Sequence, residues 1–485
     1  MKLKALFKGI EPIVWKGDPE LDISSISSHS KNVVAGSLFF AKKGMSGEGY
    51  RFISEAVVAG AVAVLTDTYN PFLSQVTQII HDDPSRLELL LGRRFYRNPT
   101  KGMWIVGITG SSGKTTVSFL IREFFFQMGI HCGVIGSIIW ETSEKSVAAA
   151  LTTPDLLTSL NLFHEMKKRG CKSAVMEVSS IGIHQQRVDG IPFTAGIFTN
   201  LSHEHLDYHH TMEEYVRVKS SWFKGFSPDS FAILNGDDPY ASIVESCCQG
   251  KILRYGLNKS YDLYASSIEL SLSHMQFKVH WKGEIVIFRS HLIGHFNVYN
   301  ILAATAASLL KGLTLTEIGR ILERFRGVPG RLERVENERG LHIFVDYSHK
   351  PDALERVLQT LFSLKKRGRL ITVFGCGGER DKSKRPLMAS IAEKFSHFSI
   401  LTNDNPRHED PEKIIAEITE GFQNKRKFSI QQDRKRAISD AIKMAKAGDL
   451  VLIAGKGHET YQILGNWVVP FDDREIVKEI CKSTS

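Results

Sequence analysis

Short, uninterrupted apolar runs recur along this chain, each followed by a turn and then by apolar residues at helical spacing. Between Trp104 and about Gly330 the runs are WIVGIT, SAVMEVSS, AGIFTNL and FAILN, and the first leads through glycines into VSFLIREFFFQMG. Unbroken apolar runs mark strands buried on both faces, and strand–helix alternation predicts a mostly parallel sheet with helices on both sides. HMQFKVHWKGEIVIFRS instead alternates with a period of two, which predicts an antiparallel patch, and HFNVYNILAATAASLLKG predicts a long helix. From about Arg331 to Ser485 four more buried strands are predicted, in HIFVDYS, LITVFGC, FSILTND and DLVLIAG. Helical stretches such as PDALERVLQTLFSL and RPLMASIAEKF separate them, so this part reads as a second doubly wound domain.

The first hundred residues read as a smaller α/β unit. GSLFFAKKG is a strand leaving a turn, and FISEAVVAGAVAVL is a helix stopped by Gly60 and followed by a strand. DPSRLELLLGRRFY starts with a capping Asp and a Pro at the first helical position. The turn-rich RNPTKGM and GVPGRLERV punctuate the chain. The fold expected is therefore α/β in three domains, 1–102, 103–330 and 331–485.

Composition changes this picture little. With 485 residues, 42% hydrophobic and 24% charged, the chain is an ordinary globular one of more than one domain. The net charge of +9 suits an anionic ligand. Long basic blocks with interleaved aromatics are missing; SLKKRGR and NKRKF lie between periodic segments, so no nucleic-acid partner is expected. The six cysteines form no C-x-x-C pair, which argues against structural zinc and a disulfide framework and for a reducing, cytoplasmic setting. No apolar stretch is long enough to span a membrane, and the N-terminus carries no signal-peptide core.

The chemistry concentrates in VGITGSSGKTTV. A strand, a Gly-rich loop and a helix in this order form a phosphate cradle, with backbone N–H groups and the helix N-terminus facing the anion. Lys114 would reach the β/γ-phosphates and Thr115 a Mg²⁺ ion. The usual pattern asks for glycine five residues before Gly113, where this chain has Ile108, so the loop is a shortened variant. A Gly-rich turn with a surface lysine would look similar. Glu177 and Ser179 end the strand SAVMEV, where ligands gather in open α/β sheets. A carboxylate there suits Mg²⁺, and a plain surface Glu is the bland alternative. His205 and Asp207 follow AGIFTNL. Lys219, on the helix MEEYVRVKSSWF, reads by itself as a solvated helix lysine.

The shortened loop resembles that of the Mur ligases, and the resemblance extends in order through LTTPDL, MEVSSIGIHQQRV, FTNLSHEHLDYHHTMEEYVRVK, GHFNVYNILAA, PGRLERV, DYSHKPDALE, FGCGGERDKSKRPLM, TNDNPRHEDP and AGKGHETYQ. Within the family these are similar to the MurE type, which adds the third residue of the peptidoglycan stem peptide. The resemblance implies a central P-loop ATPase-like domain, a C-terminal Rossmann-like domain and an active site in the cleft between domains. It implies a monomeric enzyme using ATP and Mg²⁺. ATP would phosphorylate the free D-Glu carboxylate of UDP-N-acetylmuramoyl-L-alanyl-D-glutamate, and the amine of a diamino acid would attack the acyl phosphate.

Residue by residue, the resemblance assigns Gly110, Ser111, Ser112, Gly113, Lys114, Thr115 and Thr116 to the ATP phosphates. It sets Asn297 and Asn300 beside the adenine, although an asparagine would equally cap the long helix, and gives Asp346 to the nucleotide. Lys114, Glu177, His205 and Lys219 are implied as catalytic, with Thr115, Glu177, His205 and a carbamylated Lys219 around the metal. Thr152, Thr153, Ser179, Gln185 and Arg187 match the muramoyl-dipeptide site. Of the Asp-Ser-Arg pattern of the uridine segment only Ser30 is kept, between His29 and Lys31. Ile181, Glu204 and Ser112 also depart from the usual His, Asp and Asn. Arg380, Asp404, Asn405, Pro406, Arg407, Gly455 and Glu459 match the diamino-acid site. Arg407 there implies meso-diaminopimelate over lysine, because Arg pairs in bidentate fashion with the extra carboxylate, while Glu459 would accept the distal ammonium. On the residues alone Arg407 is a loop arginine after an Asn-Pro turn. Other ligases of the superfamily, a P-loop switch or motor and an inactive binder are the rivals. DNPR and AGKGHE argue against the first, and Lys114, Thr115, Glu177 and Lys219 against the last.

Overall fold

The computed structural model describes residues 1–11, 13–44, 47–143, 145–202, 204 and 206–483; for 43, 44, 47, 48, 206, 207 and 483 it describes the backbone alone. The chain divides into two compact units, Met1–Tyr264 with Leu302–Thr314, and Ala265–Ile301 with Leu315–Ser485.

The first unit begins with a five-stranded sheet in the order Val14–Lys16, Thr77–Ile80, Ala61–Thr66, Ser37–Phe40, Ser25–Ser27, parallel except at Val14–Lys16. The strands expected in GSLFFAKKG and after Gly60 are there. Asp83 caps the helix Pro84–Phe95 by accepting from Arg86 N at 3.0 Å, as its sequence predicts.

The rest of this unit is built on a larger sheet. Trp104–Thr109 is flanked by Ser173–Glu177 on one side and Ala195–Phe198 on the other, both parallel to it. Cys132–Ile135 lies beyond the first neighbour, Phe231–Asn235 and Lys251–Gly256 beyond the second, again parallel. The chain therefore winds outward in both directions from Trp104–Thr109, which creates a topological switch point at the carboxyl ends of the central strands. Register decides what collects there: Glu177 pairs with Ile108 and Phe198 with Thr109. An antiparallel hairpin, Ile139–Glu141 with Ser146–Ala148, extends one edge. Neither it nor Cys132–Ile135 stands out in the sequence.

In the second unit, Met275–Trp281 and Glu284–Ser290 form the antiparallel pair expected from their alternation, and the helix Leu315–Arg324 packs on it. The main sheet has the order Glu333–Val335, His342–Asp346, Leu450–Ala454, Leu370–Phe374, Phe398–Leu401, Phe428–Ile430, parallel except for the first strand. Because strand side chains alternate in direction, Phe344, Leu450 and Leu452 pack with the helices Pro351–Leu364, Lys384–Phe395 and Pro411–Thr419. Ile343, Val345, Val451 and Ile453 pack on the other face with Arg434–Met444 and Asp473–Ser483. This is the doubly wound domain expected from its four apolar runs, with short strands added at both edges. Among the described residues no helix is long and apolar enough to cross a membrane.

Candidate active site

The loop Gly110–Gly113 joins the strand Trp104–Thr109 to the helix Lys114–Gln127. Gly113 has φ +90°, a left-handed turn that suits glycine and aims the chain into the helix. The loop is fastened to the next strand end. Ser112 N donates to Asn200 Oδ1 at 3.1 Å, and Ser112 O accepts from Thr199 Oγ1 at 2.7 Å and from Asn200 Nδ2 at 3.1 Å. Ser111 Oγ lies 3.1 Å from Tyr215 OH and accepts from Ser202 N. Lys114 Nζ donates to the carbonyls of Gly110 and Ser111 at 2.8 and 2.9 Å. The ammonium thus sits on the loop itself. Thr115 and Thr116 are buried in the first helical turn.

Glu177 is not a surface residue: its exposure is 0%. Oε2 accepts from Thr115 Oγ1 at 3.2 Å and from Ser137 Oγ at 2.8 Å, and Oε1 from Ser137 N at 3.0 Å. A Cβ on Gly136 would lie 2.5 Å from Oε1, so glycine is what lets this backbone approach the carboxylate. Ser137 and Gly136 escaped the sequence reading because they lie in a plain SIIW stretch after a short strand. A carboxylate 3.2 Å from the first-turn threonine of a phosphate loop is an oxygen pair that fits Mg²⁺, which takes one or two carboxylates and completes its shell with phosphate and water.

Lys219 is 1% exposed, which corrects the reading of it as a solvated helix lysine. Tyr215, Trp222 and Phe223, four before and three and four after it, are all buried on the same helix face. That spacing was the available signal. Lys219 Nζ donates to Thr109 Oγ1 at 3.2 Å and to Gly110 O at 3.1 Å, at the root of the phosphate loop. Burial, reinforced by the charge of Lys114, holds its pKa well below the usual lysine value. His205, the fourth expected catalytic residue, lies outside the described residues, as does the side chain of Asp207.

The residues expected at the muramoyl dipeptide cluster next to Glu177. Thr153 Oγ1 donates to Glu177 O at 2.9 Å and accepts from Ser179 N at 2.9 Å. Ser179 Oγ caps the short helix Ser180–His184 through Gly182 N. Arg187 donates to Thr153 O at 2.7 Å and, from Nε, to Gln185 Oε1 at 3.0 Å. Thr152 Oγ1 is 3.0 Å from Ser137 Oγ, linking this group to the carboxylate. Ser30, in the N-terminal sheet region, is buried and donates to Glu55 Oε2 at 2.9 Å.

The second unit holds the remaining expected residues. Asn297 and Asn300 are not N-caps, since the helix starts at His295. Both are buried; Asn297 Nδ2 donates to Ile293 O at 2.9 Å and Asn300 Nδ2 to Asn297 Oδ1 at 2.8 Å. Asp346 ends its strand and accepts from Leu332 N and Ser348 N at 2.6 and 2.8 Å. Burial raises its pKa, against the pull of Arg331 and these donors.

Asp404, Asn405, Pro406 and Arg407 follow the strand Phe398–Leu401, and Gly455 and Glu459 follow Leu450–Ala454. The structure joins the two segments through Asn405, whose Nδ2 donates to Glu459 Oε2 at 3.0 Å. Lys456, fully buried, donates to Asn405 Oδ1 at 3.1 Å and to Glu459 Oε2 at 2.9 Å. The sequence reading missed this lysine, which a loop pattern leaves without a face. Arg407, at φ 54°, donates through Nη1 to Gly378 O at 2.9 Å, and Gly378 belongs to the segment that carries the exposed Arg380. Beneath this segment Arg385 is fully buried between Glu409 and Glu417, with Nη1 2.8 and 2.7 Å from them. Among the described residues no group of three or more His, Cys, Asp or Glu side chains forms a metal cage.

Comparison with known proteins gives these clusters a context. The model of the Mur ligase middle domain matches residues 108–308, and that of the Mur ligase, glutamate ligase domain matches residues 330–457. UDP-N-acetylmuramoyl-L-alanyl-D-glutamate--2,6-diaminopimelate ligase of Caldanaerobacter subterraneus subsp. tengcongensis is 40% identical over 481 residues, 99% of each chain. The ligase of the same name from Chlamydia trachomatis serovar D is also 40% identical over 481 residues, 99% of each chain. A solved structure of a UDP-N-acetylmuramoyl-L-alanyl-D-glutamate--2,6-diaminopimelate ligase superposes with a TM-score of 0.69 at 32% identity, covering 100% of this chain and 99% of that one. With both family models matched in order and full-length relatives at this identity, the chain belongs to the Mur ligase family.

Proposed function

We propose that this chain is an ATP-dependent amide ligase that adds meso-diaminopimelate to UDP-N-acetylmuramoyl-L-alanyl-D-glutamate in cytoplasmic peptidoglycan precursor synthesis, acting as a monomer with three domains, 1–102, 103–330 and 331–485. The observation that carries this reading is the carboxylate of Glu177 held 3.2 Å from Thr115 of the phosphate loop, with Lys219 buried against Gly110 of the same loop. Full-length relatives named for this reaction support the substrate assignment.

A carboxylate is a poor electrophile at neutral pH. An oxygen of the D-Glu carboxylate attacks the γ-phosphorus of ATP, ADP leaves, and an acyl phosphate forms. The free amine of the amino acid then attacks the acyl carbon, the amine proton is lost, and phosphate leaves with the electron pair of the C–O bond. Lys114 and the N–H groups of Gly110–Thr116 hold the phosphates and offset the charge that develops on them. Glu177, Thr115 and His205 would hold a Mg²⁺ ion, which would supply further positive charge there. Lys219 is suited to become a carbamate. Its depressed pKa favours the neutral amine, whose lone pair attacks CO₂ with loss of one proton, turning a buried amine into an anionic oxygen ligand.

Thr152, Thr153, Ser179, Gln185 and Arg187 orient the dipeptide beside Glu177, and Ser30 serves the uridine end. Asn297, Asn300 and Asp346 serve the nucleotide. Arg380, the Asp404–Arg407 loop, Gly455 and Glu459 hold the diamino acid, with Arg407 pairing with the carboxylate that lysine lacks.

The test is to incubate the protein with ATP, Mg²⁺, UDP-muramoyl dipeptide and either meso-diaminopimelate or L-lysine, and to weigh the products. The tripeptide containing diaminopimelate is expected, and Lys114→Ala should abolish it. ATP hydrolysis with no tripeptide from any amino acid would overturn the reading.

A further inference from the structure

The helix Arg434–Met444 starts after Asp433, which caps it through Arg436 N. A basic residue in the first turn of such a helix is normally solvated. Arg434 instead has 0% exposure and uses its whole fork. Nε and Nη2 meet the two oxygens of Asp473 at 2.8 and 2.7 Å, and Asp473, also at 0% exposure, opens the helix Asp473–Ser483. The other contacts are to main chain: Nη2 donates to Ala454 O at 3.1 Å, and Nη1 to Asn403 O at 3.4 Å.

Those carbonyls belong to the residues directly before Gly455 and Asp404. Ala454 ends Leu450–Ala454 and Asn403 follows Phe398–Leu401 by two residues; these strands are not neighbours, because Leu370–Phe374 lies between them. One guanidinium therefore bridges two strand ends across the end of a third. The segments it bridges are close: a Cβ on Gly455 would lie 2.6 Å from Asp404 Oδ2. Burial lowers the Arg434 pKa, but Asp473, and behind it Asp404 and Glu459, outweigh this and keep the guanidinium charged. Sheet packing alone does not call for such a pair, since buried ion pairs add little stability over apolar residues of the same size.

We infer that Arg434, anchored by Asp473, is a positioning residue that sets the spacing between the Asp404–Arg407 loop and the Gly455–Glu459 turn, and through it the affinity for the diamino acid. This rests on the assignment of those segments to the amino acid under Proposed function.

Two variants test it. Arg434→Lys keeps the charge and loses the fork; Asp473→Asn keeps the shape and loosens the anchor. In steady-state tripeptide synthesis each should raise KM for diaminopimelate about tenfold or more, with KM for ATP and for the UDP-muramoyl dipeptide within about twofold. Arg434→Met should be worse than Arg434→Lys, because the lysine still reaches one carbonyl. A folded Arg434→Lys enzyme with unchanged KM for diaminopimelate, or an equal rise in all three KM values, overturns the inference. Should the variants not fold, hydrogen exchange on the unmodified protein decides. Diaminopimelate is expected to protect the amides of Asp473–Ser483 together with the Asp404–Arg407 loop; protection of the loop without the helix overturns the inference. Protection of neither, or no tripeptide from the unmodified enzyme, refutes the amino-acid assignment itself.

Discussion

Adding one methyl group at Gly136 tests the carboxylate site directly. The Cβ of Gly136→Ala would sit 2.5 Å from Glu177 Oε1, whereas ordinary contact begins at 3.4 Å, so the carboxylate must retreat by about 0.9 Å, the difference between the two. The φ of Gly136 is not in the left-handed region, so alanine suits the backbone and the effect is confined to the collision. Glu177 has little freedom to retreat. It is wholly buried and held by Ser137 N, Ser137 Oγ and Thr115 Oγ1 at 3.0, 2.8 and 3.2 Å, and a shift of that size takes at least one of these beyond hydrogen-bond reach. Overpacking of this kind costs about 1–3 kcal/mol of stability. A displacement near 1 Å at a reacting centre lowers kcat about 10²-fold, or roughly 2.7 kcal/mol in the barrier. The assay is tripeptide formation at saturating substrates across a Mg²⁺ titration, with urea unfolding run in parallel. Both a lower kcat and a higher Mg²⁺ requirement are expected. Glu177→Asp draws the carboxylate back by one methylene, so adding Gly136→Ala to it should cost much less than adding it to the unmodified enzyme. A Gly136→Ala enzyme with kcat within twofold of normal, at an unchanged Mg²⁺ requirement, would refute the reasoning.

Lys219→Met should abolish ligation yet leave the protein as stable or more so at neutral pH, by up to about 1–4 kcal/mol, because a buried amine is removed. The folded pKa of the free amine is depressed, so the unfolded chain binds the extra proton between that pKa and about 10.5; in CO₂-free buffer, where Lys219 carries no carbamate, the native enzyme should gain stability as pH rises through this window, and the mutant should lack that gain, as urea unfolding against pH would read. A variant markedly less stable than the native protein at pH 7 would count against this. Arg407→Ala should lose about 2–5 kcal/mol in kcat/KM for diaminopimelate while changing lysine use much less; comparable losses for the two amino acids would remove Arg407 from the specificity argument. Arg385→Ala, which leaves Glu409 and Glu417 without their shared cation, should destabilise by about 3–5 kcal/mol in urea unfolding, and a loss under 1 kcal/mol would show the pair to be dispensable.

The central strands of both large sheets are visible in the sequence because burial on two faces forces unbroken apolar runs. The phosphate loop and Glu177 are visible because they sit where such runs stop. Cys132–Ile135 and Ser146–Ala148 are hidden by their shortness; the three residues of the second are all exposed, so nothing in its pattern has to be apolar. Lys219 was half visible. Its helical neighbours declare an apolar face, but a lysine on that face reads as noise until Thr109 and Gly110 are seen to receive it. Arg434 was not legible at all, because its partners lie on separate stretches of chain and no local period records the meeting; Lys456 has Glu459 three residues on, but its other partner, Asn405, lies on a separate stretch.

Ser112 carries a side chain unlike the usual Asn of its loop, yet it is fastened through its main chain, by Thr199 and Asn200. Part of the information that shapes this loop is therefore written 88 residues away, outside the signature itself. A search string made only of the glycines, lysine and threonines spends a letter on a position whose backbone does the work and omits the asparagine that holds it. Across distant members of such a family, the strand-end Thr-Asn should be the better spelling of a competent nucleotide loop, and a chain that kept GSSGKTT but lost Asn200 would be a counterfeit.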